Sequence, residues 1–355
     1  MTQGSESAPT TVSGPTASIP ASIPATEPGP ETESAPKMVD VFTDVDIDTA
    51  LETNPAGYAI AQLADEHPEI LTLTADLGAV LADFREKYPD RYVELGIAET
   101  NSISVAAGLA TCGFLPYIYS MSPFGVLKCG DQLRTDVAYN HLPVRLVGRL
   151  TGLAMGYFGT SHHAVEDIAI ARALTNLTVV APADSNAVLS LMRSTVSLPG
   201  PVYLRIAEGP EPVYAEPPEI EFGRWPHLRT GPDVTLLGHG LGVGLAVRAA
   251  ARLESQGIEA DVYDAGYLKP FDEDAIIDTA RRTGRVLTIE DHNEIGGLFS
   301  IVAEVAGRRK LAVDLDKVAL PDVDLEVGVP AELYEYYGLT VDNVVRKSLA
   351  LIDGP

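Results

Sequence analysis

Short apolar runs separated by helical patterns recur from residue 70 almost to the C-terminus, and this alternation restricts the chain to an α/β fold with parallel strands. Strands read at residues 70–73, 92–95, 144–147, 177–180 and 202–206, with helical patterns such as 102–111 and 185–197 between them. After a break, a strand at 233–237 leads into a helix with Val243, Val247, Ala250 and Leu253 on one face, closed by Gly257. A strand at 259–263, a helix at 273–282, a strand at 285–289 and a helix at 298–305 follow. Strands joined through helices run parallel, and the helices cover both faces of the sheet. The expectation is α/β: two three-layer α/β/α domains. Ligands of such sheets bind in loops at the carboxyl ends of the strands.

Two composition shifts divide the 355 residues. Residues 1–37 hold seven Pro, six Ser and six Thr. So little apolar surface cannot offset the entropy of ordering, which predicts a disordered tail over 1–38. The Pro- and Glu-rich stretch GPEPVYAEPPEIEFGRWPHLRTG predicts a linker over 208–231. The domains then span 39–207 and 232–355.

Composition excludes several function classes. Lys and Arg number 25 against 50 Asp and Glu, a formal net charge of −25. Such a surface repels phosphate backbones and anionic lipid, so neither nucleic acid nor a membrane is an expected partner. The two cysteines, Cys112 and Cys129, make neither a disulfide framework nor a four-cysteine metal cage. No apolar run reaches the about 18 residues of a membrane span, and the chain does not start with a basic segment followed by an apolar one. The expectation is a cytoplasmic protein, and the composition still allows one small anionic substrate held by a local Arg.

The most informative stretch is RYVELGIAETNSISVAAGLA at 91–110. A strand leads into Gly96, and Glu99 falls at or just before the start of a helix of small residues. Two readings are open. A carboxylate is favoured by the dipole of a helix N-terminus, or a carboxyl desolvated among small apolar residues is a functional acid. Four further positions carry paired readings. Phe124 is a ring platform or a core residue. His162 and His163, at a loop–helix junction, shuttle a proton or cap the helix. Arg205, at a strand end, clamps an anion or forms an inter-domain ion pair.

In chain order, ADLGAV at 75–80, GIAETNSISVAAGLA at 96–110, GFLPYIYSMSPF at 113–124, GTSHHAVEDIAIARAL at 159–174, VVAPADSNA at 179–187, GPVYLRIAEG at 200–209, LKPFD at 268–272 and EDHNEIGGL at 290–298 resemble the thiamine-diphosphate enzymes of the transketolase family. The resemblance runs from about residue 42 to 350. It implies a pyrimidine-binding domain followed by a transketolase C-terminal domain. The family's diphosphate-and-metal motif, Gly-Asp-Gly followed by Asn, is missing; GDQ at 130–132 is the nearest match and lies in an expected helix. The resemblance therefore implies one subunit of a split transketolase. Thiamine diphosphate would be shared with a diphosphate-binding partner chain in an α2β2 assembly, and Mg²⁺ would be held mainly by that partner, with no metal ligand here.

The resemblance also assigns roles. Glu99 would hydrogen-bond N1′ of the aminopyrimidine and so activate the cofactor for two-carbon ketol transfer. Phe124 would stack on that ring beside Met121, and Asp76 would contact the cofactor edge or cap its loop. His162 and His163 would meet substrate oxygens, and Arg205 an anionic substrate group. His292 is expected to be structural. The glycines of GHGLGVG at 238–244 resemble a dinucleotide fingerprint with imperfect spacing.

Two departures bear on the substrate. Gly156-Tyr157-Phe158-Gly159 stands where the family has Gly-Glu-Asp-Gly, and Leu150, next to Arg149, stands where a histidine is expected. Two aromatics and a leucine in place of these groups suit a polyhydroxylated sugar phosphate poorly, which leaves open a shorter or less polar donor, such as a 2-oxo acid, or a specialised carbon-transfer pathway. The competing readings are the β subunit of a 2-oxo acid dehydrogenase decarboxylating component and a non-catalytic partner subunit.

Overall fold

The computed structural model describes residues 54–207 and 212–354. The expected tail, the opening of the first domain and the first linker residues lie outside these. Two parallel-rich sheets flanked by helices make the α/β architecture. The first contains β1 (Ile70–Thr74), β2 (Tyr92–Glu94), β3 (Leu115–Met121), β4 (Arg145–Arg149), β5 (Thr178–Val180) and β6 (Val202–Arg205). The second contains β7 (His227–Arg229), β8 (Val234–Gly238), β9 (Ala260–Asp264), β11 (Arg285–Asn293) and β12 (Asp314–Leu320). Between β9 and β11, β10 (Tyr267–Lys269) crosses back to the first sheet and pairs antiparallel with β5. The strand orders are β10-β5-β6-β4-β3-β1-β2 and β12-β11-β8-β9-β7.

Local chemistry explains the helix starts. Asp184 accepts a hydrogen bond from Ala187 N–H to cap the helix Ser185–Thr195, and Asp272 does the same for Ala275 at the helix Glu273–Arg282. Central strands such as β1, β4 and β8 are buried along their whole length, as expected of parallel strands covered on both faces.

Several expectations are corrected. Leu115–Met121, absent from the strands expected from sequence, is a central strand between β1 and β4. The helix Leu241–Glu254 does not bury Val247, which is 39% exposed. It turns Gly242, Ala246 and Ala249 inward, because small residues let it press on the sheet. A Cβ on Gly242 would stand 2.2 Å from the Ile289 carbonyl oxygen. That close approach accounts for part of the 238–244 glycine pattern without a dinucleotide. Within the expected linker, Trp225 is buried and its Nε1–H donates to the Tyr267 carbonyl at 2.7 Å.

Candidate active site

Because β1 to β4 run parallel and are neighbours, their carboxyl ends share one edge of the first sheet. Asp76 follows β1, Glu99 follows β2, Phe124 follows β3, and the segment from Leu150 to His163 follows β4. Two non-glycine residues on this edge hold left-handed backbone, Asp76 at φ 60° and Leu150 at φ 58°. Such strain persists where surrounding structure over-determines it, commonly at functional sites.

Glu99 is the first residue of the helix Glu99–Thr111, and Ala98 before it offers no side-chain cap. Glu99 is 5% exposed. Its Oε2 accepts a hydrogen bond from Lys128 Nζ at 2.7 Å. Lys128 ends the π-helical turn Pro123–Lys128, whose start carries Phe124. Cys129 next to it is buried, and desolvation pushes its thiol up to about 12, so it stays neutral.

Phe124 is half-buried and touches His162 edge-on, with ring centroids 5.1 Å apart. Phe158 stacks on His162 with ring centroids 4.7 Å apart. Ser161 Oγ lies 2.9 Å from His162 Nδ1. The imidazole is thus oriented by two rings and a hydroxyl. The turn beneath it depends on Gly159, at φ 70°, where an added Cβ would stand 2.8 Å from Val327 Cγ2. A run of contacts, Glu99 to Lys128 to Phe124 to His162 to Phe158, connects the expected Glu99, Phe124 and His162 through Lys128, which the sequence did not single out.

Other expected residues are placed apart. Met121 ends β3, half-buried on the same edge. Asp76 is exposed, and no side-chain contact joins it to this run. Its N–H instead donates to Glu94 Oε1 at 2.9 Å, and Gly96 N–H donates to the same oxygen at 2.9 Å. Glu94 therefore clamps the loops after β1 and β2, a role with no local sequence signal. His163 lines a cavity of about 410 Å³ with Thr160, Glu166, Asn293 and Asp322. It is 3% exposed, and burial pushes its imidazole below the ordinary histidine value.

Arg205 is removed from the site as drawn from sequence. It is 1% exposed at the end of β6. Its Nε donates to Asp167 Oδ2 at 2.9 Å and its Nη1 to Asp291 Oδ1 at 2.7 Å. Its Nη2 donates to the carbonyls of Ala164 and Asp291, each at 3.1 Å. Burial opposes the charge, but Asp167 and Asp291 outweigh it and hold the guanidinium above its ordinary value. The anion it clamps is the protein's own, joining the first sheet to β11 of the second. His292, also on β11, is fully buried, and its Nε2 accepts from Ala169 N–H at 3.3 Å.

This edge combines a buried carboxyl, an adjacent aromatic face and a half-buried imidazole. Together they can hold a flat heteroaromatic ring by one polar atom and one face, and move a proton at a substrate oxygen beside it. Among the described residues no group of three or more His, Cys, Asp and Glu could hold a metal ion, and no helix is long and apolar enough to cross a membrane.

Known proteins resemble this chain over both sheets. The family profile of the transketolase pyrimidine binding domain matches residues 53–210, and that of the transketolase C-terminal domain matches 223–344. The 6-deoxy-6-sulfo-D-fructose transketolase subunit SqwH of Clostridium sp. (strain MSTE9) is 37% identical over 290 residues, 81% of this chain and 90% of that protein. An apulose-4-phosphate transketolase subunit of Phocaeicola vulgatus is 32% identical over 297 residues, 82% of this chain and 95% of that protein. A solved split gene transketolase, an inactive β4 tetramer, is 35% identical with a TM-score of 0.79, covering 84% of this chain and 97% of that one.

Proposed function

The chain belongs to the transketolase family, and from that membership we propose that it is one subunit of a two-chain, thiamine-diphosphate-dependent enzyme. It would transfer a two-carbon ketol unit from a ketose or related donor to an aldehyde acceptor. The observation that carries the proposal is Glu99, a nearly buried carboxyl opening a helix at the sheet edge that also carries Phe124 and His162. The Clostridium and Phocaeicola relatives are transketolase subunits, which favours ketol transfer over acyl transfer to a lipoyl group.

The residues present fit one end of the cofactor. Glu99 offers a desolvated carboxyl for a ring nitrogen, and Phe124 offers an aromatic face, with Met121 beside it on the same edge. When bound, thiamine diphosphate supplies the carbon nucleophile that carries the two-carbon unit. Glu99 would hold and move a proton at N1′ of the aminopyrimidine. Phe124 would exclude water from that ring. His162, in contact with Phe124 and Phe158, would move a proton at a substrate oxygen. The diphosphate and Mg²⁺ would fall to a partner chain carrying the Gly-Asp-Gly motif that this sequence lacks. An α2β2 assembly and a cytoplasmic location go with that reading.

Tyr157 and Phe158 are 41% and 43% exposed beside His162. Their apolar surface supports a donor less polar than the usual sugar phosphates. With Arg205 committed inside the protein, recognition of an anionic substrate group falls to other residues or to the partner.

The test is co-purification with a partner chain bearing Gly-Asp-Gly and the following Asn, then calorimetry with thiamine diphosphate and Mg²⁺. The lone chain should bind weakly and be inactive; the complex should bind tightly and transfer ketol units from a screened ketose donor. Tight Mg²⁺-dependent binding by the lone chain, or acyl transfer to a lipoyl domain, would contradict the proposal.

A further inference from the structure

Two parts of the site meet at Lys128. Its Nζ is 2.7 Å from Glu99 Oε2 and 5.9 Å from the centre of the Phe124 ring. The Glu99 side chain is 6% exposed and that of Lys128 is 49% exposed. The ammonium therefore reaches a nearly buried carboxylate from the solvent side. A carboxylate removed from water needs a paired cation to offset its lost hydration.

The surroundings leave this role to Lys128. Cys129, the other titratable group beside the pair, keeps its proton. Asp136, on a segment packed against the same helix, is engaged by Ser104 Oγ at 2.6 Å and Thr135 Oγ1 at 2.9 Å. Arg134, on that segment, is exposed to solvent, and His162 lies across the Phe124 ring. The hydrogen bond to Glu99 in turn holds the Lys128 amine above its ordinary value.

We propose that Lys128 is the positioning residue for Glu99: its ammonium holds the carboxylate in place from the solvent side, in the orientation from which Glu99 meets a ring nitrogen. The inference rests on the reading of Glu99 as the cofactor-activating residue. Its contribution is electrostatic and requires a cation at this place, not a lysine in particular.

One arm of the test needs no cofactor. The full-length chain is treated with isotope-labelled acetic anhydride, and labelling of Lys128 is followed by mass spectrometry. Only the unprotonated amine reacts, so Lys128 should label about tenfold more slowly in the wild type than in Glu99→Gln, the factor for one pKa unit. Equal rates would overturn the pairing. The second arm uses the reconstituted complex with thiamine diphosphate and Mg²⁺. Lys128→Met should lower kcat about tenfold with KM little changed and slow C2 proton exchange in parallel, and Lys128→Arg should restore both rates. Wild-type kcat and C2 exchange in Lys128→Met, with Glu99→Gln inactive, would overturn the role of Lys128 alone. An active Glu99→Gln would overturn the underlying reading of Glu99 instead.

Discussion

Arg205 Nη1 lies 2.7 Å from Asp291 Oδ1 across the seam between the two sheets, and neither side chain is exposed to solvent. Asp167 completes the cluster, accepting from Arg205 Nε and, at 2.6 Å, from Tyr203 Oη. Thr151 Oγ1 donates to the other Asp291 oxygen at 3.3 Å.

Removing the cation would leave two carboxylates buried without compensation. Breaking a buried pair in this way costs about 3–5 kcal/mol. Arg205→Met should therefore lower the urea midpoint sharply. An unchanged midpoint with a raised KM for an anionic substrate would return Arg205 to substrate binding.

Asp264 gives a pH prediction with a definite sign. It is fully buried, accepts from Tyr214 Oη at 2.8 Å, and is raised from 3.8 to about 7 by desolvation, with the charge of Asp184 adding to the shift. Between about pH 4 and pH 7 the folded chain holds a proton here that the unfolded chain has lost. This group's contribution to stability thus falls as pH rises through that window and is level above it. Asp264→Asn should remove the dependence and stabilise the protein at pH 8 by up to a few kcal/mol, since one pKa unit corresponds to about 1.4 kcal/mol. Urea unfolding at pH 5 and pH 8 checks this. An unaltered pH difference in the Asn variant would contradict it.

His162→Ala should separate substrate chemistry from cofactor activation. Proton transfer by a positioned side chain contributes about 10²–10⁴-fold, so kcat should fall within that range. Exchange of the cofactor's C2 proton, followed by quenched NMR in the complex, should stay near the wild-type rate. Slowed exchange would move His162 into the activation step.

Much of the fold was legible because parallel strands announce themselves as short, continuously apolar runs between helices. The strand at 285–289 and the helix at 273–282 were legible this way, and the strand extends to Asn293. β3 was not, since Pro116, Tyr117, Tyr119 and Ser120 interrupt its apolar pattern. It is a strand through its ladders with β1 and β4, which are long-range pairings. Val247 misled because a hydropathy stripe gives no weight to Gly242 and Ala246, whose small size lets the helix approach the sheet. In the site, Glu99, Phe124 and His162 were singled out through the motif resemblance, and each lies in a segment that follows a parallel strand. Glu94, Lys128 and the burial of Arg205 were not, because each depends on a partner from another segment. Arg205 and Asp291 are 86 residues apart.

The most direct test of Glu99 as the activating residue is C2 proton exchange in the reconstituted complex carrying Glu99→Gln. Gln matches the size of Glu, so the helix start and ring contacts should persist, and thiamine diphosphate should still bind. Its amide cannot take up and release a proton as a carboxyl does. C2 exchange and turnover should slow together by about 10²–10⁴-fold. Exchange at the wild-type rate in the Gln variant would show that Glu99 does not activate the cofactor and would contradict the central claim.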